Sequence, residues 1–402
     1  SEEVMVPGSN QNPNFAVAEE KAVKAIQRHS MLLEGRERNP QVDEAYLLLG
    51  KARYYDQRFV PALEAFNYIL HKYPLSNTIS EAKIWREKAN MRLEFDELAI
   101  KNLKDILRDE RLAEQERANA SAALAQAYMN ITANDSAVGL IKRAAELTGN
   151  NNEKGRYWYI TGQLYDLLGK KDSANYAYRQ VVDLNRKTSR IYLVNAQIAQ
   201  VRNREIGPAE KAAVLEYLSG LAENRENRPY LDRIYFELAE FHYKMDSVEL
   251  AVNYYNRSLR SPSSDLYLQS LDYETLGNIN FDAANFEVAG AYYDSTLQKL
   301  AQNTREYRLI RKKRDNLDDV IYYEKMAQKA DSILYLASLS EEGQLEFFND
   351  YTTKLREQAK SEAERPAQQQ EAQYFFENKR PAMPGIPNPG SSFYFYNPTA
   401  VA

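Results

Sequence analysis

The chain has 402 residues, no cysteine, three histidines and a formal net charge of −5. The lack of cysteine excludes a disulfide framework, thiolate metal sites and a cysteine nucleophile, and the mildly acidic balance gives no reason to expect a nucleic-acid partner. No apolar run reaches the roughly 18 residues that a membrane-spanning helix needs. Scarce glycine and proline, with abundant Ala, Glu, Lys, Leu and Arg, indicate an all-helical chain.

Taken in chain order, residues 1–14 are predicted to be an N-terminal linker and residues 15–339 a repetitive helical array. The repeat is carried by alanines spaced 37 to 39 residues apart. Small residues lie twelve positions before the alanine in five of seven repeats, and apolar or aromatic residues lie four positions after it in six of seven. The alanines are Ala62, Ala99, Ala137, Ala174, Ala212, Ala251 and Ala289.

The repeats resemble tetratricopeptide repeats (TPRs), whose signature is W-x2-L-G-x2-Y, then A-x3-F, then P. The first repeat carries Tyr46, Leu49, Gly50, Ala62, Phe66 and Pro74 at these positions. The resemblance implies an all-α TPR solenoid of about seven to eight helical hairpins, with Gly50 and Ala62 where two helices cross. The period is longer than the usual 34 residues. The fifth repeat is predicted to be degenerate, because Gln200 and Glu216 occupy its small and aromatic positions.

Two further segments follow the array. Residues 340–380 have helical composition and are predicted to form a C-terminal helical segment. Residues 381–402 are predicted to be a Pro-rich linker and the start of a truncated β-containing region, because "RPAMPGIPNPGSS" is followed by "FYFYNPTAVA", which has strand composition.

The sequence contains no arrangement of side chains that predicts catalysis. The three histidines lie in different repeats without metal-binding spacing, and there is no Gly-rich phosphate loop or nucleophile elbow. We therefore expect a non-enzymatic protein with no metal and no cofactor.

Recognition is expected on the inner face of the array, which the first helix of each TPR hairpin lines in this fold. Aromatic and arginine residues are the usual anchors at protein interfaces. The candidates for protein binding are Lys51, Tyr54, Arg156, Tyr159, Arg233, Phe236, Tyr243 and Phe281. Lys51 stands where the carboxylate clamp of TPR co-chaperones has Asn, so that type of clamp is not expected.

A basic run near the end of the array is a possible docking cluster for an acidic partner or lipid headgroups. The alternative interpretation is the polar outer face of a helix that closes the solenoid. The cluster comprises Arg308, Arg311, Lys312, Lys313 and Arg314.

The long TPR array followed by a Pro-rich linker and "FYFYNPTAVA" resembles the SprE/PorW family of Bacteroidota. The resemblance implies a lipoprotein on the periplasmic face of the outer membrane that serves type IX secretion and gliding motility. Its implied partners are the outer-membrane translocon and periplasmic secretion subunits. No lipid-bearing cysteine is present, so contact with the membrane is expected only through an anchor outside this chain.

Two other classes remain open. A SusD-like glycan-binding outer-membrane lipoprotein would stack sugars on exposed Tyr and Trp, but the chain has only two tryptophans, Trp85 and Trp158. An enzyme on an α/α solenoid would need an acid and base pair, and none stands out.

Overall fold

The structure is a computed structural model that describes residues 13–34, 36–39, 41–204, 207, 209–357 and 359. The predicted linker at the N-terminus lies almost entirely outside these residues. The Pro-rich linker and the β-containing region predicted for 381–402 also lie outside them, as do residues 360–380.

The chain folds as an all-α TPR solenoid, as predicted. Its helices are α1 (Pro13–His29), α2 (Val42–Tyr55), α3 (Phe59–Lys72), α4 (Ile79–Arg92), α5 (Asp96–Leu107), α6 (Glu114–Asn130), α7 (Asn134–Leu147), α8 (Asn151–Leu167), α9 (Lys171–Leu184), α10 (Arg190–Arg202), α11 (Lys211–Glu223), α12 (Leu231–Lys244), α13 (Val248–Arg260), α14 (Leu266–Asp282), α15 (Phe286–Lys299), α16 (Arg305–Asp315) and α17 (Asp318–Ser338). A further helix, α18, covers residues 341–357. A two-residue antiparallel pair, β1 (Leu32–Leu33) and β2 (Arg36–Glu37), joins α1 to α2.

The described residues divide into two compact segments, one up to Ser264 and one from Asp265. In the first segment α2 to α13 form six successive helix pairs, which we number repeats one to six. In the second segment α14 and α15 form repeat seven, followed by α16, α17 and α18. Within each repeat the first helix is called helix A and the second helix B.

The small residue of helix A makes room for an aromatic ring from helix B. A methyl group on Gly50 would lie 2.3 Å from a ring carbon of Phe66, and one on Gly162 would lie 2.3 Å from a ring carbon of Tyr178. The B-helix alanine beside each crossing is fully buried in repeats one to four, six and seven. The predicted crossing at Gly50 and Ala62 is therefore observed, and a ring of the paired helix fills the space.

Repeat two replaces the small residue with Glu87, which is nonetheless fully buried. Its carboxylate accepts hydrogen bonds from Arg86 at 2.6 Å, Asn90 at 2.8 Å and Asn102 at 3.1 Å. The buried charge is thus both paired and hydrogen-bonded, which is the condition for placing a carboxylate inside a protein.

The turn between helices A and B is the same in six repeats. One residue with positive φ stands five positions before the B-helix alanine, and the next residue donates its N–H to a carbonyl five positions earlier, which is the Schellman closure of a helix end. The residues with positive φ are Gln57, Glu94, Thr132, Gly169, Asp246 and Ala284. Only one of them is glycine, the residue that this conformation favours.

Repeat five departs from the predicted register. Ala212 and Glu216 are exposed, and Val214 and Leu218 occupy the buried positions of α11 instead. Helix α10 packs mainly against α9, while α11 packs mainly against α12. Because this pair of helices does not cross tightly, its core is built from larger aliphatic residues rather than from a glycine and an alanine.

The helices after repeat seven leave most of their surface exposed. Ile310, Leu317 and the part-buried Ile321 pack against α15. Among the described residues, no helix combines the length and apolar character needed to cross a membrane.

Candidate protein-binding site

Three A helices of the first segment, α8, α10 and α12, place side chains in contact along one face. The rings of Tyr159 and Tyr192 lie 6.0 Å apart between α8 and α10. Arg233 of α12 donates to the side-chain oxygen of Asn195 in α10 at 3.1 Å. These contacts join residues about one repeat apart, as expected where equivalent positions of stacked hairpins meet.

Tyr178 of α9 links the core of repeat four to this face. Its ring covers Gly162, and its hydroxyl donates to Asp166 at 2.6 Å. Burial, together with the hydrogen bond to Asp166, raises the pKa of Tyr178 far above its ordinary value of 10.0. The side chain of Asn203 donates to the other oxygen of Asp166 at 2.6 Å. Both carboxylate oxygens of Asp166 are therefore engaged within the protein.

The same face carries an ion pair between α10 and α12. Arg202 donates through Nε to the buried carboxylate of Glu237 at 2.6 Å. Burial raises the pKa of Glu237, and the nearby guanidinium of Arg202 opposes that rise. The guanidinium also lies 6.0 Å from the ring centroid of Phe236, while half of the Arg202 side chain remains exposed.

We call this surface the α8–α10–α12 face. It comprises Tyr159, Asp166, Tyr192, Asn195, Arg202 and Arg233. Aromatic rings and guanidinium groups held in place by internal hydrogen bonds are suited to anchoring a peptide or protein surface, because little side-chain freedom remains to be lost on binding.

The structure brings some predicted recognition residues to this face. Tyr159 and Arg233 belong to it and are half-buried, and Arg156 lies one turn before Tyr159 on α8. Tyr243 follows Arg233 on α12 with 36% of its surface exposed. Phe281 is 45% exposed but belongs to the second segment.

The prediction is wrong for Tyr54 and Phe236 as contact residues, because their exposed fractions are only 0% and 6%. The Tyr54 ring is covered by Trp85 of the next repeat, at 5.2 Å between ring centroids, and by Phe59 at 5.5 Å. Phe236 packs on Tyr255 at 6.0 Å. Both side chains therefore belong to the core.

Lys51 is also largely committed within the protein. Its ammonium group pairs with Glu81 at 2.6 Å and lies 5.5 Å from the ring centroid of Trp85.

The basic cluster on α16 is divided between paired and unpaired side chains. Arg314 pairs with Asp294 at 2.9 Å and with Asp318, and Arg311 pairs with Asp315 at 3.6 Å. Lys313 donates to Asn278 at 3.2 Å. Arg308 and Lys312 are exposed and form no ion pair with any described residue.

Tyr192, Asn195 and Arg202 were not among the contact residues predicted from the sequence. All three lie on α10, where the degenerate fifth repeat offered no reliable register. A usable signal was present in the spacing, since Asn195 and Arg233 are 38 residues apart, which equals the period of the array.

The described residues contain no group of three or more His, Cys, Asp or Glu side chains arranged to hold a metal ion. The acidic groups of the α8–α10–α12 face are engaged by Tyr, Asn and Arg donors.

The solved structures that are similar to this chain include TPR proteins of low sequence identity. No protein-family model matches the chain, and neither does any curated protein. A solved TPR protein from Parabacteroides merdae has 13% identity and a TM-score of 0.49, with 69% of this chain and 99% of that chain covered. The C-terminal part of a TPR repeat-containing protein from Cytophaga hutchinsonii has 14% identity and a TM-score of 0.45, with 64% and 94% covered. These similarities concern the fold alone.

Proposed function

We propose that the chain is a non-enzymatic scaffold that binds other proteins through the α8–α10–α12 face. The observation that carries the proposal is the meeting of Tyr159, Arg202 and Arg233 from three consecutive A helices on one surface. A site assembled from several repeats suits an extended peptide or a protein loop, because such a ligand contacts successive repeats in turn.

The internal hydrogen bonds of the face support this assignment. Glu237 accepts a hydrogen bond from Arg202 and Asn195 accepts one from Arg233, so that both guanidinium groups of the face are held in position. Preorganised anchors lose less entropy on binding than mobile ones.

We further propose that the scaffold is a component of the type IX secretion and gliding machinery at the periplasmic face of the outer membrane. Support comes from the resemblance of the TPR array, Pro-rich linker and "FYFYNPTAVA" to the SprE/PorW family. In this role the chain links the translocon to periplasmic subunits and is held at the membrane by a lipid anchor outside this chain.

The position of the tryptophans argues against the glycan-binding alternative. Trp158 is 5% exposed and packs edge-on against Tyr176 at 5.9 Å. Trp85 lies among Tyr54, Tyr55 and Phe66 in the core of the first repeats. The ammonium groups of Lys51 and Lys88 also lie over the part-buried Trp85 ring, at 5.5 Å and 4.5 Å from its centroid, where a sugar would have to stack.

The binding face can be tested with exposed and half-buried residues. Arg233→Ala on this face, and Tyr243→Ala at a predicted contact residue of the same helix, are expected to weaken capture of protein partners about tenfold each, while leaving the melting temperature nearly unchanged. Tyr176→Ala is the matched control, because Tyr176 is a half-exposed aromatic residue on helix B of repeat four. Equal capture by all three variants would contradict the assignment of the face.

The secretion role has its own test. The wild-type chain and the Arg233→Ala variant are used to purify partners from detergent-solubilised membranes of the native host, followed by mass spectrometry. Type IX secretion subunits are expected with the wild type and depleted with the variant. Recovery of an oligosaccharide, or of proteins unrelated to secretion, would contradict this role.

A further inference from the structure

The middle helix of the α8–α10–α12 face has no acidic residue. Helix α10 has the sequence RIYLVNAQIAQVR, with an arginine at each end and no Asp or Glu. Its neighbours α8 and α12 add Arg156 and Arg233, each six residues before the small residue of its helix A. The two guanidinium groups therefore hold the same position in repeats four and six, in the two helices whose side chains contact α10.

The carboxylates of these three helices are not open to a ligand. Four of the five accept a hydrogen bond from within the chain at 2.6 to 2.8 Å. They are Glu153, Asp166, Glu237 and Glu240, and their donors are Thr148, Tyr178, Arg202 and Tyr255 in the same order. The fifth, Asp232, is buried with 5% of its surface exposed.

The guanidinium groups of the face, in contrast, lack acceptors. Arg156 forms no ion pair or hydrogen bond with any described residue, and its Nε is buried without an acceptor. Arg202 donates its Nε to Glu237, while half of its side chain is exposed. Because a guanidinium has five N–H donors, most of the donors of Arg156 and Arg202 have no acceptor in the described part of the chain.

The hydroxyl of Tyr159 lies close to the same basic groups. Burial raises the pKa of Tyr159, and the charges of Arg233 and Arg202 oppose that rise. The half-buried ring of Tyr159 also contacts that of Tyr192 at 6.0 Å between centroids. The face thus combines basic groups with aromatic rings, which are the usual anchors at protein interfaces.

We propose that this face binds a protein segment through its acidic side chains, whose carboxylates accept hydrogen bonds from Arg156 and Arg202. Guanidinium–carboxylate pairs are charge-assisted and use two parallel N–H donors, so they add both affinity and orientation. This assignment rests on the scaffold function proposed above and adds the chemistry of the partner.

The carboxylates of the face favour a peptide over a continuous polyanion. Asp166, Glu237 and Glu240 lie among the guanidinium groups on α8 and α12. The closely spaced phosphates of a nucleic acid or of an anionic bilayer would lie against these carboxylates, and such like-charge contacts are unfavourable. Acidic side chains spaced along a peptide can meet the arginines and avoid the carboxylates.

A peptide array tests the chemistry of the partner. The labelled full chain is applied to random peptides of about ten residues, all with amidated C-termini so that only side chains supply carboxylates. Asp and Glu are expected at least about twofold above their array frequency among the retained peptides. The best-retained peptide is then measured in solution by fluorescence anisotropy.

Arg156→Gln is the primary variant, because the Arg156 side chain has no partner among the described residues to lose. The variant is expected to raise the dissociation constant of that peptide about tenfold at an unchanged melting temperature. Arg179→Gln is the matched control, since Arg179 is an exposed arginine on helix B of repeat four without an ion pair to any described residue. A rise of about tenfold in salt concentration is expected to weaken binding to a similar degree.

The outcomes separate this inference from the scaffold function. Retained peptides without an excess of Asp and Glu, or a peptide indifferent to Arg156→Gln, would overturn the acidic partner. If binding of such peptides still falls with Arg233→Ala, the scaffold function stands. Competition by polyphosphate that equals competition by the acidic peptide would also overturn the inference, because it would assign the face to polyanions. Retention of no peptide at all would contradict the binding face itself.

Discussion

Gly162 shows how a single hydrogen in place of a methyl group shapes a repeat. A methyl group there would lie 2.3 Å from the Tyr178 ring, which is a carbon–carbon contact that folded proteins do not tolerate. Gly139 on α7 is also inside a helix, but no atom lies within 4 Å of a methyl group built there. Both glycines therefore lie within a helix, but only Gly162 is packed closely against a neighbouring side chain.

This contrast gives a matched pair of substitutions. Gly162→Ala is expected to lower the free energy of unfolding by about 1 to 3 kcal/mol, because the ring of Tyr178 must move. Gly139→Ala is expected to raise it by about 1 kcal/mol, because alanine favours the helix and meets no neighbour. Urea denaturation followed by circular dichroism measures both. Equal effects of the two changes would mean that the close approach at Gly162 is absent.

The buried hydroxyl of Tyr178 makes the stability of the fold sensitive to alkaline pH. Burial, aided by the hydrogen bond to Asp166, raises the pKa of Tyr178 above the ordinary value of 10.0. A group whose pKa is raised by folding contributes stability that is complete below the unfolded-state pKa and is lost as pH rises through the folded-state value. The chain should therefore lose stability above about pH 10.

Tyr178→Phe tests this origin. The variant is expected to be about 1 kcal/mol less stable near neutral pH, because Asp166 loses a donor, and to show a shallower loss of stability above about pH 10. Tyr176→Phe on the same helix, where the ring is half-exposed, is the control. Parallel pH profiles for wild type and Tyr178→Phe would show that another group controls the alkaline transition.

At the scale of the helix pair, the turn between helices A and B puts one residue in the left-handed conformation. In most repeats that residue is not glycine, so the conformation is unfavourable for it. Thr132 has φ of 61° and Ala284 has φ of 59°, whereas Gly169 holds the same position with φ of 70°. A left-handed backbone brings Cβ close to the following carbonyl oxygen, which costs about 1 to 2 kcal/mol for residues other than glycine. The Schellman hydrogen bonds nevertheless hold each turn in this conformation.

Reciprocal substitutions test the strain in these turns. Thr132→Gly is expected to stabilise the chain by about 1 kcal/mol, and Gly169→Thr to destabilise it by about 1 to 2 kcal/mol. No atom lies within 4 Å of a methyl group built on Gly169, so the second change reports on the backbone alone. Melting curves of the two variants should move in opposite directions, and a fall in stability with Thr132→Gly would refute the argument.

The helix pairs also show which features the sequence could predict. The alanine spacing located six of the seven repeats because the buried alanine of helix B recurs wherever the two helices of a repeat cross closely. The same rule failed at Ala212 and Glu216, because α10 and α11 barely touch each other and α11 is buried through Val214 and Leu218. The spacing of the alanines alone cannot reveal a repeat whose two helices pack mainly on the adjacent repeats and only slightly on each other.

The sequence could predict only part of the α8–α10–α12 face, for a related reason. Helix position indicated Tyr159 and Arg233, and both contact α10, since equivalent residues of stacked repeats meet. It did not show that Trp85 of the next repeat covers Tyr54. Burial across a repeat boundary depends on the size of the neighbouring side chains, which periodicity does not report. It also missed Arg202, whose partner Glu237 lies in the following repeat.

At the scale of the whole molecule, each helix of the first segment packs mainly on its neighbours along the chain. Stability in such an array is approximately a sum over repeats and the interfaces between adjacent repeats. The interface between the two helices of repeat five contributes least to this sum, because α10 packs mainly on α9 and α11 packs mainly on α12. A local defect should therefore spread to adjacent repeats and no further.

Hydrogen exchange followed by mass spectrometry tests this locality with Gly162→Leu. The larger side chain is expected to displace Tyr178 and to speed amide exchange about tenfold or more in α8 and α9, with a smaller increase in the adjacent α7 and α10. Helices α2 and α3, which share no interface with repeat four, should exchange at the wild-type rate. Gly139→Ala, which meets no neighbouring atom, should leave exchange in α8 and α9 unchanged or slower. Uniform acceleration from α2 to α13 would show instead that the first segment unfolds as one cooperative unit.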